Sequence, residues 1–373
     1  MASYMNGRMP LMSTLRSRVL ALTVLVLVLT TAAGAQQQVV RPPVAQLWID
    51  LATNTIAAPG GLRLPSFGGE NRFGNTRFAF GRYMDVALAV RTRPQGIQAT
   101  QSIPQGMRMG ASLPLDPFRA APPAPGGPGD ASQVEQPKGR ILFYWGCSTD
   151  VRSGQPRIID VSRATPQEWA SVFAGRYAPE RGATAEAGRS IWPNDRDKRM
   201  LPDGNSVQGE HAIAGDSVPA GFRFMIGQAQ DIMPAIELSP QGDPEASVTL
   251  QWRAIPTARA YFISAFGAKG SDFIIWSSSE LPEAGMGLLD YLSNANIERW
   301  TGERVLLSAS ATRCAVPRGI FAGTDGAIAR MIAYGAELNL VQPPRPTDPR
   351  TPWEQQWAVR VRVKSTVMTV LGQ

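Results

Sequence analysis

Apolar and polar positions alternate with a period of two along much of this chain, the spacing of half-buried strands. The runs at 44–51 (VAQLWIDL) and 85–91 (DVALAVR) open the pattern, the second with Val86, Leu88 and Val90 on one face. Further strands are expected at 141–147 (ILFYWGC), 157–161, 222–226, 235–238, 247–252, 260–266, 273–277, 304–308 and 328–341. The last strand, 356–370, points Val359, Val361 and Val363 one way and Arg360, Arg362 and Lys364 the other, which reads as one buried face and one solvated basic face. Helical signals are few. Thr165 and Pro166 fit the N-cap and first position of a helix that turns Trp169, Val172 and Phe173 inward and stops near Gly175. A second short helix is expected from 287–292 (GLLDYL) towards Trp300.

Proline and glycine divide these runs. Turns fall at 59–61 and 65–69, and 117–139 holds too little apolar surface to pack, so it reads as a loop or linker. Residues 178–209 read as irregular, with Trp192 as a local anchor. Residues 102–109 (SIPQGMRM) and 217–224 (SVPAGFRF) repeat one pattern, Ser-aliphatic-Pro-x-Gly followed by apolar-Arg-apolar, which suggests a duplicated β unit. The expected fold is mainly β: two β-sandwich domains of immunoglobulin or fibronectin-like type, with a short helix and an irregular segment between them. The boundaries are 36–164 for the first domain with its Pro/Gly-rich loop 117–139, 165–204 for the connector, 205–342 for the second domain, and 343–373 for a Pro-rich tether and final strand.

The first 35 residues change the picture of where the chain works. Arg8, Arg16 and Arg18 precede an apolar run at 19–29, and Ala33-Gly34-Ala35 offers small residues for cleavage. The run is far short of the roughly 20 residues that span a bilayer, so a cleaved leader is expected, with the cut before Gln36 and a periplasmic or secreted bacterial product. All three arginines leave with the leader, which takes the net charge from +7 to +4. A mild positive balance spread over 338 residues argues for solubility charge rather than nucleic-acid binding. In an oxidising compartment the two cysteines, Cys147 and Cys314, suggest one disulfide; two separate buried thiols are the alternative.

Residues 245–266 (EASVTLQWRAIPTARAYFISAF) resemble the centre of a fibronectin type III or related immunoglobulin-like sandwich: a strand ending in Trp252, a Pro-containing turn, then Tyr261 opening the next strand. The resemblance implies that Trp252 and Tyr261 pack between two sheets. The pieces FYWGC (143–147), WPND (192–195), GLLDYL (287–292) and AYGAELNLVQPPRP (333–346) are similar to a group of uncharacterised exported proteins of proteobacteria, which implies compartment and length but no mechanism.

Little chemistry is signposted. With one histidine, His211, and two distant cysteines, the ligands of a zinc site are not supplied at the usual short spacings. Gly215-Asp216-Ser217-Val218 resembles the nucleophile block of the GDSL-type esterases, but no histidine follows Ser217, so it reads as a turn. There is no Gly-x-Ser-x-Gly elbow, phosphate loop or dinucleotide fingerprint, and no cofactor is implied. Two carboxylates brought together by the fold would suffice for a glycosidase, with Asp231, Glu237, Asp272 and Glu280 as candidates. Trp276, Trp300, Trp353 and Trp357 are the candidates for an aromatic surface that binds sugar or peptide; core packing is the plainer role. The expected function is an exported, noncatalytic β-sandwich protein with a binding or envelope-structural role, partnered by a protein or glycan of the envelope. A carbohydrate-active hydrolase with two carboxylates is the alternative.

Overall fold

The computed structural model describes residues 38–57, 70–120, 139–165, 167–168, 175–243 and 245–371. The leader, the turns at 59–61 and 65–69, most of the Pro/Gly-rich loop, and Trp169, Val172 and Phe173 lie outside them. The expected cap at Thr165 is present: its hydroxyl accepts from the Glu168 amide at 3.2 Å, and the Glu168 carboxylate accepts from the Thr165 amide at 2.7 Å.

The protein is mainly β. Its first strands are β1 (Val40–Arg41), β2 (Ala45–Ala57), β3 (Gly81–Val90), β4 (Ala99–Ser102), β5 (Ser112–Pro117), β6 (Arg140–Trp145), β7 (Arg157–Asp160), β8 (Arg189–Trp192), β9 (Gly209–Gly215) and β10 (Arg223–Ile226). Then come β11 (Leu238–Gln241), β12 (Val248–Trp252), β13 (Ala260–Lys269), β14 (Asp272–Ser277), β15 (Leu307–Ser308), β16 (Arg313–Val316), β17 (Ala327–Tyr334), β18 (Leu338–Gln342), β19 (Trp353–Glu354) and β20 (Trp357–Leu371). The described α-helices are α1 (Asn75–Phe78) and α2 (Asn294–Gly302). No helix among the described residues is long and apolar enough to cross a membrane.

Two compact units are present. In the smaller one, β1 pairs in parallel with β19, and the Arg345 guanidinium sits 5.7 Å from the Trp353 ring centre. The larger unit, 42–344 with 355–373, holds one open sheet in the order β10-β9-β4-β5-β8-β3-β2-β20-β17-β13-β14-β6-β7. β15 also pairs with β13, and β18 with β20. The three-stranded sheet β11-β12-β16 lies in the same unit.

This order corrects the expected division into two sandwiches at 36–164 and 205–342. β20, expected to follow a tether, is the central strand. It pairs with β2 in parallel from Ala45↔Trp357 to Ala57↔Thr369, and on its other edge with β17 and β18 in succession. β6 and β7, from the first half of the chain, extend the sheet beyond β14, from the second. The physical reason is that alternation specifies which residues face inward but not which strand lies alongside; parallel partners distant in sequence leave no local turn signal. The expected strand 328–341 is two strands, because the chain breaks at Gly335, whose amide donates to the Val363 carbonyl at 3.0 Å. A Cβ at Gly335 would lie 2.3 Å from the Val363 side chain, so only glycine lets the two strands share one edge of β20.

One core runs through the larger unit. Leu47, Ile49 and Leu51 of β2, Val359, Val361 and Val363 of β20, and Tyr261, Ile263 and Ala265 of β13 belong to it, with Val248, Leu250 and Trp252 from the three-stranded sheet. Trp252 meets Tyr261 edge-on at 5.6 Å, and their strands lie in different sheets. A second cluster lies on the opposite face of β13 and β17, where Leu292, Ile297 and Trp300 around α2 cover Phe262, Ile332 and Tyr334. The repeated Pro-Gly pattern falls in the connections β4–β5 and β9–β10, two hairpins side by side in the order β10-β9-β4-β5. The copies differ locally: the first forms a 3-10 turn at Gln105–Met107, whereas the second leads straight into β10.

Cys147, just past β6, is bonded to Cys314 of β16, with Cα atoms 5.0 Å apart. The bond ties the large sheet to the three-stranded one across 167 residues of sequence. Replacing both cysteines by serine is expected to lower the unfolding free energy by about 2–5 kcal/mol. Urea titration of the oxidised protein and the variant measures this, and coincident curves would show that the link adds nothing.

Candidate functional site

The outer face of β20 is not the solvated basic face that its alternation suggested. Lys364 is 1% exposed and Arg362 5%. The strand is covered here by the irregular segment leading to β8: the Arg181 carbonyl accepts from Arg360 at 2.8 Å, and the Ala183 amide donates to Asp50 at 3.0 Å. Gly182 makes this approach feasible, because a Cβ there would lie 1.6 Å from the Arg362 guanidinium and 2.4 Å from the Asp50 carboxylate.

Strand register sets the charges in place. Asp50 of β2 lies opposite Arg362 of β20 on one side and opposite Asp85 of β3 on the other. The Arg362 guanidinium grips Asp50 with two hydrogen bonds, 2.7 Å from Nε and 2.6 Å from a terminal nitrogen, and reaches Glu180 at 3.1 Å. Burial alone would lower the guanidinium, but Asp50 and then Glu180 hold it above its ordinary range. Asp85 has no cation so close. Burial pushes its carboxyl up to about 7, against the hydrogen bonds from the Thr76 hydroxyl and the Gly74 amide, and the neighbouring Asp50 adds to the rise.

One register step on, Lys364 donates to Asp290 at 2.6 Å. Burial lowers the ammonium, and Asp290 opposes this only in part; Asp290 itself is held below its ordinary value by Lys364 and Arg362 despite its burial. The Tyr291 ring lies between these cations, 4.4 Å from the Arg362 guanidinium and 4.3 Å from the Lys364 ammonium. Burial raises the Tyr291 hydroxyl far above its ordinary value, and among the described residues no group hydrogen-bonds it. Asp290 and Tyr291 come from the GLLDYL stretch, which is a 3-10 turn and loop; the helix expected from here towards Trp300 begins only at Asn294.

Above this layer opens a pocket of about 390 Å³. Its charged wall is Arg77, Glu180, Asp290, Arg330, Arg362 and Lys364, and its apolar wall includes Tyr177, Met286 and Leu289. Arg77 is held by Glu180 at 2.6 Å and lies 3.8 Å from Asp290. Arg330 differs from the others: it donates to the Leu289 carbonyl at 3.0 Å, and among the described residues no carboxylate lies within ion-pair distance. A larger cleft, about 620 Å³, opens beside the cis Trp192-Pro193 bond. Of the charges lining it, Asp116 pairs with Arg196, Lys198 with Glu70 and Asp195, and Arg72 with Glu70, all at the surface, where such pairs contribute little; Arg119 lines it as well.

No known protein family, curated protein or solved structure matches this chain. The site is therefore read from its own geometry. Among the described residues no three His, Cys, Asp or Glu side chains are grouped to hold a metal ion.

The residues singled out from sequence fall elsewhere. Of the four tryptophans, Trp276, Trp300 and Trp357 are buried in the larger unit, and Trp353 belongs to the smaller one. The Trp276 indole donates to the Gly146 carbonyl, and Trp357 stacks on Phe222 at 4.8 Å. Core burial wins because each large ring sits on an inward strand or helix position. Asp272 pairs with Arg140 and Glu280 with Arg152, while Asp231 organises a loop by accepting from the Val207 and Ile232 amides. Glu237 lies beside a shallow surface pocket with Trp252 and Arg253. Ser217 takes a hydrogen bond from Arg93 in a turn. His211 is fully buried, with Nε2 donating to the Val207 carbonyl and Nδ1 accepting from Gln101; burial lowers its pKa.

Two outcomes follow from the layer. The folded protein keeps a proton on Asp85 that the unfolded chain gives up in the ordinary carboxyl range. This contribution to stability is full below that range and is lost as pH rises to about 7. Asp85→Asn is therefore expected to gain stability over the wild type between about pH 5 and about pH 8, measured as denaturant midpoints, whereas a pH-independent difference would refute the assignment. Gly182→Ala is expected to cost about 3–5 kcal/mol by prising apart the buried Asp50–Arg362 pair. A thermal midpoint equal to the wild type would show that the covering segment can move aside.

Proposed function

We propose that this is an exported protein that binds its ligand without transforming it, and that the pocket above the Asp50–Arg362–Lys364 layer is the binding site. The carrying observation is the pocket itself: a charged wall fixed by buried ion pairs, facing an apolar wall of Tyr177, Met286 and Leu289. Convergent fixed polar groups within an otherwise apolar hollow are what ligand sites share. Export is supported by the Cys147–Cys314 disulfide, which suits an oxidising compartment, and by the leader-like first 35 residues.

The hydrolase alternative has one support, the opposed Asp50 and Asp85 with the latter near neutrality. Both carboxyl groups lie beneath the pocket, 1% and 2% exposed, and neither lines it. The carboxylate that does line it with a shifted pKa, Asp290, is held low, opposite to what a general acid requires.

The test is a thermal-shift screen of glycan fragments, peptides and small organic acids against the wild type and Leu289→Trp, which fills the pocket. A ligand that stabilises only the wild type and is recovered unchanged by mass spectrometry is the expected result. Equal shifts in both proteins would remove the pocket from the site, and recovery of a hydrolysed glycan would replace binding by catalysis.

A further inference from the structure

The charges around the pocket do not balance locally. Arg362 is matched by Asp50 and Glu180, Lys364 by Asp290, and Arg77 by Glu180. Arg330 faces the same pocket with only a backbone carbonyl, and most of its five N–H donors are unused by described residues. A half-buried guanidinium in that position is costly unless something negative or strongly accepting completes it. A second observation points the same way. The Tyr291 hydroxyl is another pocket-lining polar group, 5% exposed as a residue, with no partner among the described residues. The opposite wall is apolar, and its rim carries two well-exposed side chains, Tyr177 and Met286.

We propose that the pocket takes a small amphipathic organic anion, with its oxyanion head on the free fork of Arg330 and its apolar body against Tyr177, Met286 and Leu289. The planar fork of an arginine matches two oxygens of a carboxylate at once, and the remaining cations of the wall add long-range attraction without having to release their own partners. The size fits: about 390 Å³ holds a ring or a short chain with one headgroup. This inference rests on the binding reading of the same pocket and adds the chemical class of what enters it.

Isothermal titration of the full-length protein with sodium benzoate, sodium hexanoate, neutral benzamide and inorganic phosphate, all at one ionic strength, tests it. Saturable binding of benzoate or hexanoate is expected, with benzamide at least about tenfold weaker, because the neutral amide forfeits the charge-assisted bonds. Arg330→Gln is expected to abolish that preference, and Arg330→Lys to keep part of it. If Arg330→Gln unfolds, the benzoate-to-benzamide ratio of the wild type and its persistence in Arg330→Lys still decide. Phosphate binding that depends on Arg330, with no binding of the organic acids, would keep the oxyanion head but overturn the apolar body. Organic-acid binding unaffected by Arg330→Gln, or no saturable binding of any probe, overturns the proposal. A neutral ligand lost in Leu289→Trp but unchanged in Arg330→Gln would overturn the anion while leaving the pocket as the binding site.

Discussion

The parallel pairing of β2 with β20 is the constraint on which the rest of this structure depends. It joins residues more than three hundred positions apart and continues through thirteen aligned pairs. Once formed, it places every inward residue of both strands in one core and every outward residue on the other face, because the side-chain period of a strand is two. A slip of one residue would turn Leu47, Ile49 and Leu51 out of the core and Asp50 into it. It would also part Asp50 from Arg362, so apolar packing on one face and ion pairing on the other demand the same register. Such a contact closes a very long loop before it is rewarded, which places it among the slow, non-local steps of folding.

A central parallel pair must be covered on both faces, and the two covers differ in chemistry. The inner face is apolar and packs against the three-stranded sheet and the β4–β5 and β9–β10 hairpins. The outer face carries Asp50, Asp85, Arg362 and Lys364, and its cover is largely irregular chain whose backbone does the pairing: the Gly74 amide on Asp85, the Ala183 amide on Asp50, and the Arg181 carbonyl on Arg360. Irregular chain suits this role because its free amides and carbonyls can point at charges, whereas a helix or strand has spent them internally. Parts of this cover, residues 177–180 with Arg77 and 286–291, also line the pocket, so the charged face and the site share one set of loops.

Sequence made the strands readable and their neighbours unreadable. The inward faces of β3, β12, β13 and β20 were legible from alternation, because burial of one face repeats every second residue. The mainly β character was legible for the same reason. The order of the sheet was not, since β20 finds β2 through register and not through any turn. The basic stripe of β20 misled for a specific reason: arginine and lysine alternating with valine has the same pattern whether water or a pairing layer covers it. A signal was nevertheless present. Asp50 and Asp85 each interrupt an otherwise apolar stretch, in VAQLWIDLAT and YMDVALAV, and an acid in such a run asks for a buried partner. Reading Asp50 against Arg362 would have required knowing the pairing first. Glu180, Asp290 and Arg330 gave no signal at all, because they lie in loops or at an ordinary outward strand position.

The buried layer also bears on why a pocket beside it should bind anything. A buried ion pair seldom stabilises a fold more than well-packed apolar residues of the same volume would, since desolvation offsets most of the attraction. Asp85 sharpens the point: it sits opposite Asp50, and its carboxyl is pushed towards neutrality by burial and by that neighbour, so the layer is not arranged for maximum stability. What such a layer does provide is fixed charge. Arg362 and Lys364 are held by Asp50 and Asp290, and Tyr291 is clamped between them, so this part of the wall is tied in place by its own partners. Preorganisation of this kind reduces the ordering that a ligand must otherwise impose. A layer that costs stability and returns rigidity at the edge of a cavity is better explained by the cavity than by the fold.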